Sequence, residues 1–285
     1  MILPDERQQA ADVALHYDQL DQVYREIWGE HVHHGLWQSG RESPAEAAEA
    51  LTAMVAERLR LRPDDSVCDI GCGYGASAQF MAERHRAAVT GLTVSAAQAR
   101  IGQARSPAAG SFRCLHRDWL DNGLEDRSFD AAYAIESSEH MVDKGLFFAE
   151  AARVLRPGGR LVVCAWLATE RPSRFAVRYL LEPICREGRL PGMGSRSDYE
   201  RLAADAGLLL RDHRDIGAKV RRTWSICAKR LAARFVSDRA YRRLALDRTV
   251  GNRVFLLTVP RLMLALRTGA MRYGVFVWEK PNATQ

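Results

Sequence analysis

The chain is short of the features that carry a protein through or into a membrane. Its first residues, MILPDERQQAAD, are acidic and polar where a secretory signal needs a basic start and an apolar core, so a cytoplasmic protein is expected. No apolar run has the length of a bilayer span: the longest, Val254 to Leu266, is too short and is broken by Pro260 and Arg261. The six cysteines (Cys68, Cys72, Cys114, Cys164, Cys185 and Cys227) show neither CxxC spacing nor the density of a disulfide scaffold, and read as reduced, buried thiols. Internal repeats and low-complexity tracts are also missing, which excludes a repeat architecture.

What is present suits one large domain with inserted caps: 285 residues, 47% apolar and 27% charged, are enough for a sizeable core. The formal charge of +6 is unevenly placed, because Arg211 to Lys280 holds 17 Lys/Arg against 5 Asp/Glu. Such a tail suits an anionic substrate, nucleic acid or a membrane surface, or simply a solvated helical face. Nucleic acid is not expected, since no RNA-binding aromatic motif accompanies it; transient contact with a membrane surface stays open.

From Asp65 onward short β-branched runs alternate with helical periods. SVCDI, AAVTGL, SFRCLH, FDAAYAI and GRLVVCAW read as strands, separated by helices at Ala76 to Arg86, SAAQARIGQAR and Leu146 to Leu155. That rhythm implies an α/β fold, a doubly wound Rossmann-like parallel sheet with helices on both faces. The predicted organisation is an N-terminal helical lid over 1–62, a ligand-binding core over 63–167, a cap insertion over 168–196, a core continuation over 197–216, a basic helical cap over 217–270, and a closing strand and tail over 271–285.

The most informative stretch is VCDIGCGYG, where Gly71, Gly73 and Gly75 follow a strand and open a helix, letting the backbone turn tightly against a ligand. Asp69 discriminates among ligands. A carboxylate there disfavours a pyrophosphate and favours S-adenosyl-L-methionine, which has no phosphate and carries an ammonium and a sulfonium.

DIGCGYG, VTGLTVSAAQ, HRDW, FDAAYAIESSEHM and RVLRPGGRLVV, in that order, resemble a class I S-adenosylmethionine-dependent methyltransferase over roughly Asp64 to Trp166. WGEHVHHG, ESSEHMVDK, PICREGRLPGMGSRSDY and MRYGVFVWEKP are similar to the gamma-tocopherol O-methyltransferase branch, whose members methylate small lipophilic acceptors. The resemblance implies that Asp69, Gly71 and Gly73 line the methionine portion of the cofactor, that Thr93 and Gln98 hold the ribose where most relatives have an acid, and that Asp118 and Trp119 hold the adenine. Tyr17, Trp28 and His34 would fold over the cofactor, and Glu136 would also contact it. S-adenosyl-L-homocysteine is the implied product.

Methyl transfer to a phenol also needs a proton acceptor. His140 is the first candidate, with Glu136 stabilising charge and Glu139 orienting His140 just past the fourth strand, at the carboxyl edge of the sheet. The cluster His31, His33 and His34 lacks partners at metal-ligand spacing; no metal is expected, and the segment reads as a lid wall with His33 or His34 as second choice of base. Expected acceptor contacts are Trp28, His33, Phe175, Tyr179, Arg222 and Trp224, the arginine suiting an anionic group, with Ile226, Phe255, Leu256, Met263 and Leu264 behind them. The acceptor is read as a lipophilic or aromatic specialised metabolite, methylated on oxygen, with C- or N-methylation of a terpenoid or alkaloid as the alternative. GLTVSAAQ and EHM are also shared with cyclopropane fatty acid synthases, which carry an N-terminal cysteine-bearing segment; no cysteine precedes Cys68 here.

Overall fold

The computed structural model describes the chain except residues 6–7, 247–254 and 283–285. Three helices come first, α1 (Ala10–Gln19), α2 (Asp21–Ile27) and α3 (Pro44–Leu59). The start of α3 is written locally: Ser43 and Glu46 form a capping box around Pro44.

Strands and helices then alternate through β1 (Ser66–Ile70), α4 (Ala76–His85), β2 (Ala88–Thr93), α5 (Ala96–Gln103), β3 (Ser111–His116), β4 (Phe129–Ile135), α6 (Lys144–Val154) and β5 (Leu155–Ala168). A first cap follows, with α7 (Arg174–Ala176), a π-helical turn at Val177–Leu181 and α8 (Glu182–Glu187); α9 (Arg196–Asp205) and β6 (Leu209–Asp215) return to the core. The second cap holds α10 (Gly217–Val220), α11 (Arg222–Ser237), α12 (Arg239–Leu246) and α13 (Phe255–Thr268), and β7 (Met271–Glu279) closes the sheet.

The seven strands form one sheet in the order β3-β2-β1-β4-β5-β7-β6. Strand order reverses between β1 and β4, so a crevice opens at their carboxyl ends. Alternation of elements predicts a parallel sheet, but β7 runs antiparallel to both β5 and β6. The reason lies in the second cap: Asp215, at the end of β6, pairs with Gly274 near the start of β7, so that cap leaves and re-enters the sheet at the same edge. It is thereby held over the crevice.

Two apolar layers cover the sheet. Leu51, Val55, Met81 and Val162 lie in one, and Phe147, Phe148, Leu161 and Trp278 in the other. A third cluster joins Leu20, Tyr24 and Ile27 of the N-terminal helices to Leu181 and Ile184 of the first cap and Trp224 and Leu262 of the second. The N-terminal helices are therefore fastened by burial of large apolar side chains, each contributing roughly 1.5–3 kcal/mol. Among the described residues no helix is long and apolar enough to cross a membrane.

Candidate active site

The turn after β1 is the floor of the crevice. Gly71 has φ +84° and Gly73 φ +54°, conformations that side chains resist. A Cβ on Gly71 would run into the Ser137 side chain, whereas one on Gly73 would meet nothing within 4 Å. Gly71→Ala is therefore expected to weaken binding of S-adenosyl-L-homocysteine by at least about tenfold in calorimetry, and Gly73→Ala by less, because only the latter escapes a collision on top of the ~1–3 kcal/mol backbone strain.

Above this turn lies a cavity of about 580 Å³, lined by Gly71, Gly73, Thr93, Gln98, Trp119 and Ser137 and closed by Tyr17 and His140. Thr93 Oγ1 donates to Gln98 Oε1 at 2.8 Å. The pair presents hydroxyl and amide groups suited to ribose hydroxyls at the end of β2. Ser95 caps α5 by accepting from Gln98 N at 3.1 Å, which sets the Gln98 backbone. Trp119 offers an aromatic wall to the same cavity, and its indole is fixed by donating to the Phe147 carbonyl at 3.2 Å. The donor set of this cavity fits S-adenosylmethionine.

Two expected cofactor contacts, Asp69 and Asp118, are hydrogen-bonded to protein groups beside the cavity. Asp69 is 2% exposed, accepts from Tyr133 Oη at 2.7 Å and does not line the cavity. Burial pushes its carboxyl up to about 7, so it shapes the strand beneath the loop and is only partly charged near neutrality. Asp118 accepts from Leu120 N at 2.9 Å, capping the short helical turn that positions Trp119, and is likewise absent from the cavity wall.

Glu136 follows β4 with φ +54° and is the best-bonded acid of the site. It accepts from His34 N at 2.7 Å, His34 Nδ1 at 2.8 Å, Trp166 Nε1 at 2.9 Å and Tyr273 Oη at 2.7 Å. One carboxylate thus ties the lid to β5 and β7. Burial alone would raise its pKa, but the His34 ring and these donors hold it down to about 2. His34 gives its backbone N–H and Nδ1 to this anchor, its Nε2 is buried without a well-formed hydrogen bond, and it lines neither cavity.

A second cavity, of about 460 Å³, adjoins the first. Trp28, Trp166, Trp224, Tyr24, Val32 and Leu190 supply apolar walls, and Tyr17, Glu136, Glu139 and His140 the polar ones. Tyr17, Val32, Glu136 and His140 line both cavities, marking where the two meet. His140 Nε2 lies 2.9 Å from Tyr17 Oη, and its Nδ1 is buried without a well-formed hydrogen bond. Burial pushes His140 down to about 4 and the Tyr17 phenol well above its usual range, so both are neutral at pH 7.

Glu139 does not orient His140, which corrects the role expected for it. It accepts from the Trp166 backbone N–H at 2.5 Å and from Ser138 Oγ at 3.2 Å. Burial, together with the nearby Glu136 charge, raises it to about 7. Lys144, lowered to about 8 by burial, donates to the Glu139 and Met141 carbonyls rather than to a carboxylate.

The remaining expected acceptor contacts divide. Trp28 and Trp224 line the second cavity; His33, Phe175, Tyr179 and Arg222 do not. His33 is turned into a buried network with His31 at 3.2 Å and Ser77 at 3.1 Å. Arg222 lies 5.0 Å over the Trp37 ring and donates to the Gly40 carbonyl. Phe175 and Tyr179 face solvent. The side chains of Phe255 and Leu256 lie outside the described residues. Trp166, Tyr24 and Tyr273 were not anticipated; an aromatic at the carboxyl end of a central strand, as in VVCAW, is the signal for Trp166. Among the described residues no group of three or more His, Cys, Asp or Glu side chains could hold a metal ion.

The family described as mycolic acid cyclopropane synthetase matches residues 4–247. The chain is 31% identical to a probable chloroplastic tocopherol O-methyltransferase of Oryza sativa subsp. japonica, across 94% of this chain and 78% of that one. It is 33% identical to the 27-O-demethylrifamycin SV methyltransferase of Amycolatopsis mediterranei (strain S699), across 77% and 81%. Among solved structures, mycolic acid cyclopropane synthase CmaA1 complexed with SAH and CTAB superposes with a TM-score of 0.84 at 22% identity, over 97% of this chain and 100% of that one. At that identity the likeness speaks to the fold.

Proposed function

Since this chain belongs to the mycolic acid cyclopropane synthetase family of class I S-adenosylmethionine-dependent methyltransferases, we propose that it methylates an oxygen of a small lipophilic phenol or quinol. The observation that carries this reading is the meeting of two unlike cavities at Tyr17, Val32, Glu136 and His140. One is polar and built around Thr93 and Gln98; the other is walled by three tryptophans.

Bound S-adenosylmethionine supplies a methyl group on a positively charged sulfur. Gly71, Gly73, Thr93, Gln98 and Trp119 hold it, and the ionised Glu136 together with the Tyr17 ring lowers the cost of burying its charge. Trp28, Trp166 and Trp224 hold an apolar acceptor and keep water out. The acceptor hydroxyl loses a proton at the junction. Tyr17 Oη takes it while passing its own to His140 Nε2, so the imidazole ends protonated without either group moving far. The names of the tocopherol and rifamycin relatives support an oxygen acceptor in a lipophilic molecule.

Incubating the protein with methyl-labelled S-adenosylmethionine and a panel of lipophilic phenols and quinols tests the reading. Mass spectrometry is expected to find one added methyl that base hydrolysis does not remove and that sits on oxygen. A labelled methylene inserted into an alkene lipid, with no phenolic product, would instead favour the cyclopropane chemistry that the family description carries.

A further inference from the structure

The two aromatics expected in the acceptor pocket sit on the outside of the first cap. Phe175 is 64% exposed and Tyr179 53%, with ring centroids 4.9 Å apart, so they form one apolar knob on the surface. Single exposed apolar side chains are ordinary, but an adjacent aromatic pair at this exposure is not. Arg171, Arg174 and Arg178 are exposed around it, and the Arg178 guanidinium lies 5.7 Å from the Tyr179 ring. The neighbouring acids are committed elsewhere: Glu170 to Ser197, Glu182 to Arg186 and Glu187 to Arg261. Among the described residues the three arginines therefore have no ion-pair partner.

The opposite face of the same segment is buried. Ala176, Leu180, Leu181 and Ile184 join the cluster that holds Tyr24 and Trp224, and Gly188 and Leu190, a few residues on, line the acceptor cavity itself. One short segment thus has its inner side in the cluster that backs the acceptor cavity and an aromatic, cationic outer side in solvent.

We infer that residues 171–179 dock the protein on an anionic lipid bilayer surface, Phe175 and Tyr179 entering the headgroup region and Arg171, Arg174 and Arg178 pairing with lipid phosphates. The charge complementarity selects this occupant, since aromatic rings with cationic neighbours suit the boundary between headgroups and acyl chains. The inference rests on the reading of the acceptor as lipophilic: such a molecule dissolves in the bilayer, and docking beside the acceptor cavity shortens its path to the site.

Co-sedimentation with vesicles of pure phosphatidylcholine and of equimolar phosphatidylcholine and phosphatidylglycerol tests it. The wild type is expected to bind the anionic vesicles preferentially and to release at high salt. The double variant Phe175→Ser/Tyr179→Ser should bind about tenfold or more weakly, and Arg174→Glu/Arg178→Glu should lose at least about fivefold per arginine removed. Both should keep the wild-type melting temperature and the wild-type rate on a water-soluble phenol. Absence of wild-type binding, or equal binding by the variants, overturns the inference. So does sedimentation velocity showing a dimer that the double variant splits, because the knob would then be a contact between copies. If vesicle binding holds while no phenol is methylated, it is the proposed reaction that fails.

Discussion

Glu136→Ala is expected to lower folding stability by about 3–5 kcal/mol, since each buried donor left without its acceptor costs about 1–3 kcal/mol. Urea unfolding at pH 7 measures it. Four hydrogen bonds converge on this carboxylate from His34, Trp166 and Tyr273, and its removal leaves their buried donors unsatisfied. The lid loses its tie to β5 and β7 at the same time, so cofactor affinity and turnover should fall together. Glu136→Gln keeps the shape and isolates the charge. Its acid limb gives the sign: folding depresses Glu136 from the ordinary 4.5 to about 2, so its contribution is full above about 4.5 and is lost as pH falls towards about 2. Glu139 and Asp69 act in the opposite direction. Both are raised to about 7, so the folded state holds their protons more tightly, and stability should decline as pH rises from about 4 to about 7. His31 and His140, lowered by burial to about 3 and about 4, offset that gain as pH falls below about 6.5, and the Gln variant is expected to lose only the Glu136 limb below about 4.5.

His140→Ala is expected to reduce kcat by about 10²- to 10⁴-fold, the usual weight of a general base, with calorimetric affinity for S-adenosyl-L-homocysteine close to wild type. Tyr17→Phe should reproduce much of that loss, since it breaks the 2.9 Å link through which the proton passes. The pH profile separates His140 from its neighbour. With His140 lowered to about 4, kcat should be flat through neutrality and fall only as pH drops towards about 4, where the imidazole becomes protonated before substrate arrives. A limb near 7 that vanishes in Glu139→Gln would transfer the role to Glu139, whose carboxyl titrates there.

The most legible residues are those whose geometry is dictated by the chain beside them. Gly71 and Gly73 reach positive φ because the turn after β1 demands it, and Thr93 and Gln98 meet because a strand end and the first turn of a helix are five residues apart. Less legible are those whose surroundings depend on distant partners. Asp69 reads as a charge beside a ligand until Tyr133, from β4, is seen to cover it. His34 reads as a base until Glu136 claims its Nδ1. Phe175 and Tyr179 read as pocket wall because an apolar residue in a cap carries no mark of which helical face turns inward.

The amino-acid sequence alone determined the alternating α/β core, the glycine turn and the ligand class, because periodicity, turn chemistry and local spacing act over a few residues. Tertiary structure alone decided the antiparallel seat of β7, the partition of the crevice into a polar and an aromatic cavity, and the protonation of Glu136, Glu139 and His140. Each of these is set by burial and by charges brought together from residues tens to hundreds of positions apart, and a side chain's pKa is a property of those neighbours rather than of its own identity.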